Sequence, residues 1–234
     1  MRERTHSIAA LRQLLAERVP GSMGRDRSGP AFPTGVPALD EALGDGLAAG
    51  ALTEIVSAGA GSGGQLVQLR MLCMAAALGR RVALVDASDA FDPQSAGDEA
   101  LRALIWVRCA DPDGGIALRA ADLLVRDANI GLVILDLRGC QLLALKRAPA
   151  TGWYRLQRAA EGAGVPLVVQ TVQPLVPSAT CRVLLSPSGQ AFGIDACGRD
   201  RESLRADVGV EVLRSRWAGS FEEATGGFDR LTAG

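Results

Sequence analysis

Apolar residues in this chain gather into short runs separated by longer stretches of helical spacing. The short runs are LTEIV (52–56), RVALVD (81–86), LIWVRC (104–109), LVILDL (132–137) and PLVVQTV (166–172). Their apolar positions are nearly continuous and not alternating, the pattern of strands buried on both faces of a parallel sheet. Between them lie helix-like runs at 65–79, 116–127 and 153–161. Strands alternating with helices predict βαβ units and an α/β fold. From Cys181 the style changes. CRVLLS (181–186), AFGIDA (191–196) and VGVEVLRSRW (208–217) read as consecutive strands joined by turns. The expected architecture is a mostly parallel sheet flanked by helices and continued by antiparallel C-terminal strands.

The N-terminus has a pattern of its own. Ile8, Leu11, Leu15 and Val19 recur at spacings of three and four, one face of a short amphipathic helix, and Pro20 and Gly21 stop it. Residues 21–33 are rich in Gly, Pro, Ser and charge and read as a linker. The expected organisation is an arm at 1–20, a linker at 21–33, a globular core at 34–222 and a tail at 223–234. An apolar stripe outside the core must bury against something. It either folds back on its own core or docks on a partner or a second copy, and the linker makes docking easy in reach.

Composition narrows the function classes. A chain of 234 residues with 48% hydrophobic residues supports one sizeable core. The net charge of −1 gives no general attraction to nucleic acid. Five cysteines, Cys73, Cys109, Cys140, Cys181 and Cys197, are far apart and form no C-x-x-C pair, so reduced thiols are expected and neither a disulfide framework nor a zinc site. No apolar run reaches the roughly 18 residues of a spanning helix, and the N-terminus lacks a signal-peptide core. A cytoplasmic protein without membrane attachment is expected.

The most informative chemistry is the glycine-rich stretch Gly59, Gly61, Ser62, Gly63 and Gly64, set between a strand and a helix. That order is the setting of a phosphate-binding P-loop. Such a loop needs Gly-Lys-Ser/Thr at the helix start, the lysine for the outer phosphates and the hydroxyl for magnesium. Here Gly64 and Gln65 stand in the lysine and hydroxyl places, and the chain's one lysine is Lys146. Two readings remain for the glycines: a backbone nest for an anion, or a turn kept for its backbone angles. Asp136 ends an apolar strand, where open α/β sheets place functional groups, or else it caps a loop. His6 is the only histidine and lies in the arm, so histidine-based catalysis is excluded from the core.

Five blocks in order resemble the RecA core. Residues 34–55 resemble the segment leading into its P-loop strand. VDASDAFDP (85–93) resembles the strand and loop of its catalytic glutamate, with Ser88 in the glutamate place. LVILDL resembles the Walker B strand, ending in Asp136. VVQ resembles the strand end of the nucleotide-sensing glutamine, here Gln170. GVEVLRSRWAGSF (209–221) resembles the last core strand. The resemblance implies a RecA-like α/β core with an N-terminal helical arm. It also implies that the loop after Gln170, which faces DNA in the family, is cut down.

A core of this size with these departures resembles the ImuA family, accessory proteins of damage-induced mutagenesis and translesion synthesis. That resemblance implies no catalytic residue, no metal and no cofactor. It implies an ImuB-type partner, an inactive Y-family polymerase relative, and an error-prone DnaE-type polymerase. Self-association through the arm and a weak DNA contact at Lys146 and Arg147 accompany it, those two residues falling where the family's first DNA-facing loop lies. Arg199, Arg201, Arg205, Arg214 and Arg216 form a second basic cluster, interleaved with carboxylates and better read as a solvated mixed-charge face. A division inhibitor of the SulA type, binding FtsZ, and an ATP-dependent recombinase are the alternatives.

Overall fold

A computed structural model describes residues 29–59, 61–187 and 208–217. The arm residues Ile8, Leu11, Leu15 and Val19, the AFGIDA segment and Arg199, Arg201 and Arg205 lie outside these. The elements run α1 (Pro37–Leu43), β1 (Leu52–Ser57), α2 (Gly64–Ala77), β2 (Arg81–Asp86), α3 (Asp98–Ala103), β3 (Leu104–Arg108) and α4 (Gly115–Leu124). There follow β4 (Ile130–Asp136), α5 (Leu142–Arg147), α6 (Ala150–Ala163), β5 (Leu167–Thr171), β6 (Cys181–Pro187) and β7 (Val208–Ser215).

The strands form one seven-stranded sheet in the order β3-β2-β4-β5-β1-β6-β7. Every pairing is parallel except β6 with β7, which is antiparallel. The expected architecture is therefore the observed one. Alternation along each strand sends side chains to two cores. Val82, Leu84, Leu132 and Ile134 pack with Leu39 of α1, Val67 and Met71 of α2 and Ala100 of α3. Ala83, Val85, Val133 and Leu135 pack with Ala117 of α4, Leu145 of α5 and Trp153 and Leu156 of α6. Each fully buried Leu, Ile or Val contributes about 1.5–3 kcal/mol, so both helix layers are held by the sheet between them.

Three short helices, α1, α3 and α5, were not legible from periodicity, since six or seven residues hold barely two turns. Helix α1 nonetheless carries end signals, Pro37 in its first turn and Gly44 beyond its end in a left-handed conformation (φ 65°). The run 116–127, read as helix, leaves the helix after Leu124; Asp127 takes the N–H and side-chain amide of Asn129 in a turn that feeds β4. Strand β3 corrects the expectation of two buried faces. It lies at the sheet edge, with Leu104 to Val107 only partly buried and Arg108 exposed. Among the described residues, no helix is long and apolar enough to cross a membrane.

Candidate functional site

Parallel strands place their carboxyl ends on one side of the sheet, where open α/β folds bind ligands. Here that side gathers the Gly-rich loop after β1, Asp86 at the end of β2, Asp136 at the end of β4 and Gln170 in β5. Gly61 (φ 76°) and Gly63 (φ 90°) hold left-handed angles that side chains resist, which explains glycine at both. The Ser62 hydroxyl closes the turn by donating to the Gly59 carbonyl at 2.7 Å. Gly63 caps the start of α2, and Val208 at the beginning of β7 lies over it. A Cβ at residue 63 would meet a Val208 methyl at 2.9 Å.

At Gly64 an arginine comes in that sequence reading had missed. Arg138 follows Asp136 by two residues in the turn that leaves β4, and its backbone N–H folds back onto Asp136 Oδ1. Its Nε donates to Asp136 Oδ1 at 2.9 Å and its Nη2 to Oδ2 at 2.5 Å. The same Nη2 reaches Gln65 Oε1 at 3.0 Å and Gln68 Oε1 at 2.6 Å. Those two glutamines lie three apart on α2 and share a face. Nη1 stands 2.6 Å from where a Cβ at residue 64 would be, and Ser57 Oγ crowds the same point. Nothing local in the sequence pointed Arg138 at helix α2.

Gln170 ties the neighbouring strand into this cluster, its Nε2 donating to the Gly64 carbonyl at 3.0 Å. Among the described residues, three buried polar atoms around it find no hydrogen-bond partner: Ser57 Oγ, Gln68 Nε2 and Gln170 Oε1. Asp136 also accepts from the Arg138 backbone N–H at 3.1 Å. It therefore does cap its loop, and it holds a buried ion pair as well. Asp86 is a pure loop anchor, taking the N–H groups of Ala90 and Phe91 and, at 3.4 Å, the Trp106 indole. Ser88 lies against Gly139 so closely that any Cβ there would collide with it. Asp89, in a left-handed conformation, is paired with Arg108, whose hydrogen bond holds its carboxyl below the ordinary range. Burial pushes the Cys140 thiol up to about 12, with Asp111 adding to the shift.

The loop after β5 is short and welded in place. Residues 172–180 cross one face of the sheet to reach β6. Buried Glu54 of β1 holds them, accepting from the Leu175 and Val176 N–H groups and the Thr171 hydroxyl. Arg182 completes the pair at 2.5 Å and donates also to the Val176 carbonyl. Arg214 and Arg216, read from sequence as part of a basic surface cluster, instead donate to the Pro177 carbonyl. Lys146 and Arg147 occupy the last turn of α5 and are exposed. They lie in a helix and not in the loop that the resemblance implied, and their charges complement the helix dipole.

Taken together, the fold and this edge define an α/β core of the P-loop class, with a strand set between the Gly-rich-loop strand and the Asp136 strand. The sequence model of the RecA N-terminal domain family matches residues 22–143, and the chain belongs to that family. It is 37% identical over 118 residues to protein RecA of Frankia casuarinae, covering 49% of this chain and 34% of that protein. It is 32% identical over 105 residues to DNA repair protein recA homolog 1, chloroplastic, of Arabidopsis thaliana, covering 45% of this chain and 24% of that protein. The matches thus span about a third or less of these relatives' length. The crystal structure of the RadB recombinase superposes with a TM-score of 0.54 at 21% identity, over 68% of this chain and 84% of that one, a likeness of fold.

A magnesium nucleotide is the ligand such a loop implies. The residues present do not fit it. The helix start offers Gly64 and Gln65, and both oxygens of Asp136 already serve one guanidinium.

Proposed function

We propose that this chain is a non-catalytic RecA-like adaptor of damage-induced mutagenesis and translesion synthesis in the cytoplasm. It binds an ImuB-type inactive polymerase relative and, through it, an error-prone DnaE-type polymerase. The observation that carries this reading is the state of the Gly-rich loop. Phosphoryl transfer is almost entirely positioning and charge stabilisation by lysine, metal and a water-orienting residue. Gly64, Gln65 and Ser88 replace all three groups, and Asp136 faces an arginine. The degenerate loop then serves the fold and the protein works by its surfaces. DNA repair as the setting is supported by the likeness to protein RecA and to DNA repair protein recA homolog 1, chloroplastic.

Affinity capture of tagged full-length chain from DNA-damaged cells tests this directly, with the ImuB-type protein expected in the eluate. Recovery of FtsZ instead would select the division-inhibitor reading. An ATP-dependent recombinase is the second reading, favoured by the match to RecA itself. It requires ATP turnover stimulated by single-stranded DNA and abolished by Asp136→Ala. No turnover is expected.

A further inference from the structure

We infer that Arg138 is a resident counter-cation that closes the Gly-rich loop site. One guanidinium stands in for the lysine and the metal, so the loop end of the sheet is locked without nucleotide. The inference concerns the site and not the partners, and it goes beyond the missing lysine. An absent side chain leaves a site weak; an occupying one leaves it shut.

The geometry distributes the roles. Against residue 64, the lysine place, lies Nη1. Against Gln65, the hydroxyl place, lies Nη2. Nε and Nη2 take the two carboxylate oxygens of Asp136, the group that would share a metal. A divalent ion would have to displace the guanidinium or sit beside its positive charge at low exposure, and both are unfavourable. Gln170, placed by resemblance at the nucleotide-sensing strand end, bonds to the Gly64 carbonyl and thus reads the loop itself. The unpartnered Ser57 Oγ, Gln68 Nε2 and Gln170 Oε1 mark the cost. Among the described residues, each belongs to a side chain that meets Arg138 or residue 64, beside a cation smaller than the lysine, metal and phosphates that such a site is built to hold.

The test uses the full chain, Mn²⁺ followed by electron paramagnetic resonance, and a fluorescent ATP analogue with Mg²⁺. Arg138→Gln keeps a neutral donor for Asp136, so folding is expected to survive. It should gain a Mn²⁺ site at least tenfold tighter than any wild-type binding, and Asp136→Asn should remove that gain. Gly64→Lys with Gln65→Thr alone should leave analogue binding at the wild-type level, while adding Arg138→Gln should raise it at least tenfold. If a folded Arg138→Gln protein gains no Mn²⁺ site, or the double variant binds the analogue as tightly as the triple, Arg138 is not the closure. Magnesium-dependent analogue binding by the wild type would overturn it too. A failed partner capture would leave this inference untouched and remove only the adaptor reading.

Discussion

Two buried carboxylates, Glu54 and Asp136, are each held by one arginine at 2.5 Å, and in each pair the arginine is 17% exposed. The pairs are built to different ends. Glu54 is saturated: a hydroxyl, two backbone N–H groups and Arg182 fill its oxygens, and these partners lie in the β5–β6 crossover or at the strand ends that flank it. Asp136 binds little besides Arg138, and among the described residues three buried polar atoms near it go without partners, against one, Thr180 Oγ1, at the end of the crossover. A fully paired network specifies structure, whereas buried polar groups left unpaired are costly. The first pair reads as a structural weld. The second reads as a site built for a ligand and filled from within.

The comparison can be broken at the weld first. Glu54→Ala removes the anchor of the crossover and leaves Arg182 without its carboxylate, a loss of about 3–5 kcal/mol. Chemical denaturation should show it as a large drop in midpoint. A loss below about 1 kcal/mol would mean that backbone packing alone holds residues 172–180.

Arg138→Ala should cost less, about 1.5–3 kcal/mol, because its surroundings are polar and partly unsatisfied already. Pairing it with Asp136→Asn should recover part of that loss, a coupling on the order of 1–2 kcal/mol in a double-mutant cycle. Strict additivity would show that the two groups, though in contact, do not depend on each other.

DNA binding sharpens the same contrast, since a crossover held down on Glu54 has little freedom to reach a strand. Two to four phosphate contacts give a log–log salt slope of about −2 to −3, with micromolar affinity at best in physiological salt. Lys146→Ala with Arg147→Ala should remove a large part of it in a fluorescence titration. Nanomolar single-strand binding at that salt would overturn the adaptor reading.

The smallest effect expected is at the thiols. Cys73 is exposed and Cys140 buried. With its folded pKa raised to about 12, the Cys140 contribution to stability is full below the unfolded thiol value and fades as pH rises through the folded one. At pH 8 a thiol reagent should label Cys73 at once and Cys140 only on unfolding. Equal labelling rates in native buffer would contradict the burial.

The chain's own order of residues determined the α/β class, all seven strands of the described sheet and the absence of lysine and hydroxyl at the loop. Continuous apolar runs and a glycine-rich turn are local signals, set by burial and by backbone angles such as those of Gly61 and Gly63. The same order could not show that Arg138, 74 positions beyond Gly64, comes to rest against it, or that Glu54 would hold residues far down the chain. Strand order decides that. Putting β5 between β1 and β4 sets Gln170 against the loop, and crossing from β5 to β6 over β1 lays Val176 on Glu54. Nor could sequence tell an edge strand from a central one at β3, because apolar content is similar and only the neighbours differ. Charge pairing in a low-dielectric interior depends on which groups meet, and only the tertiary fold brings those groups together.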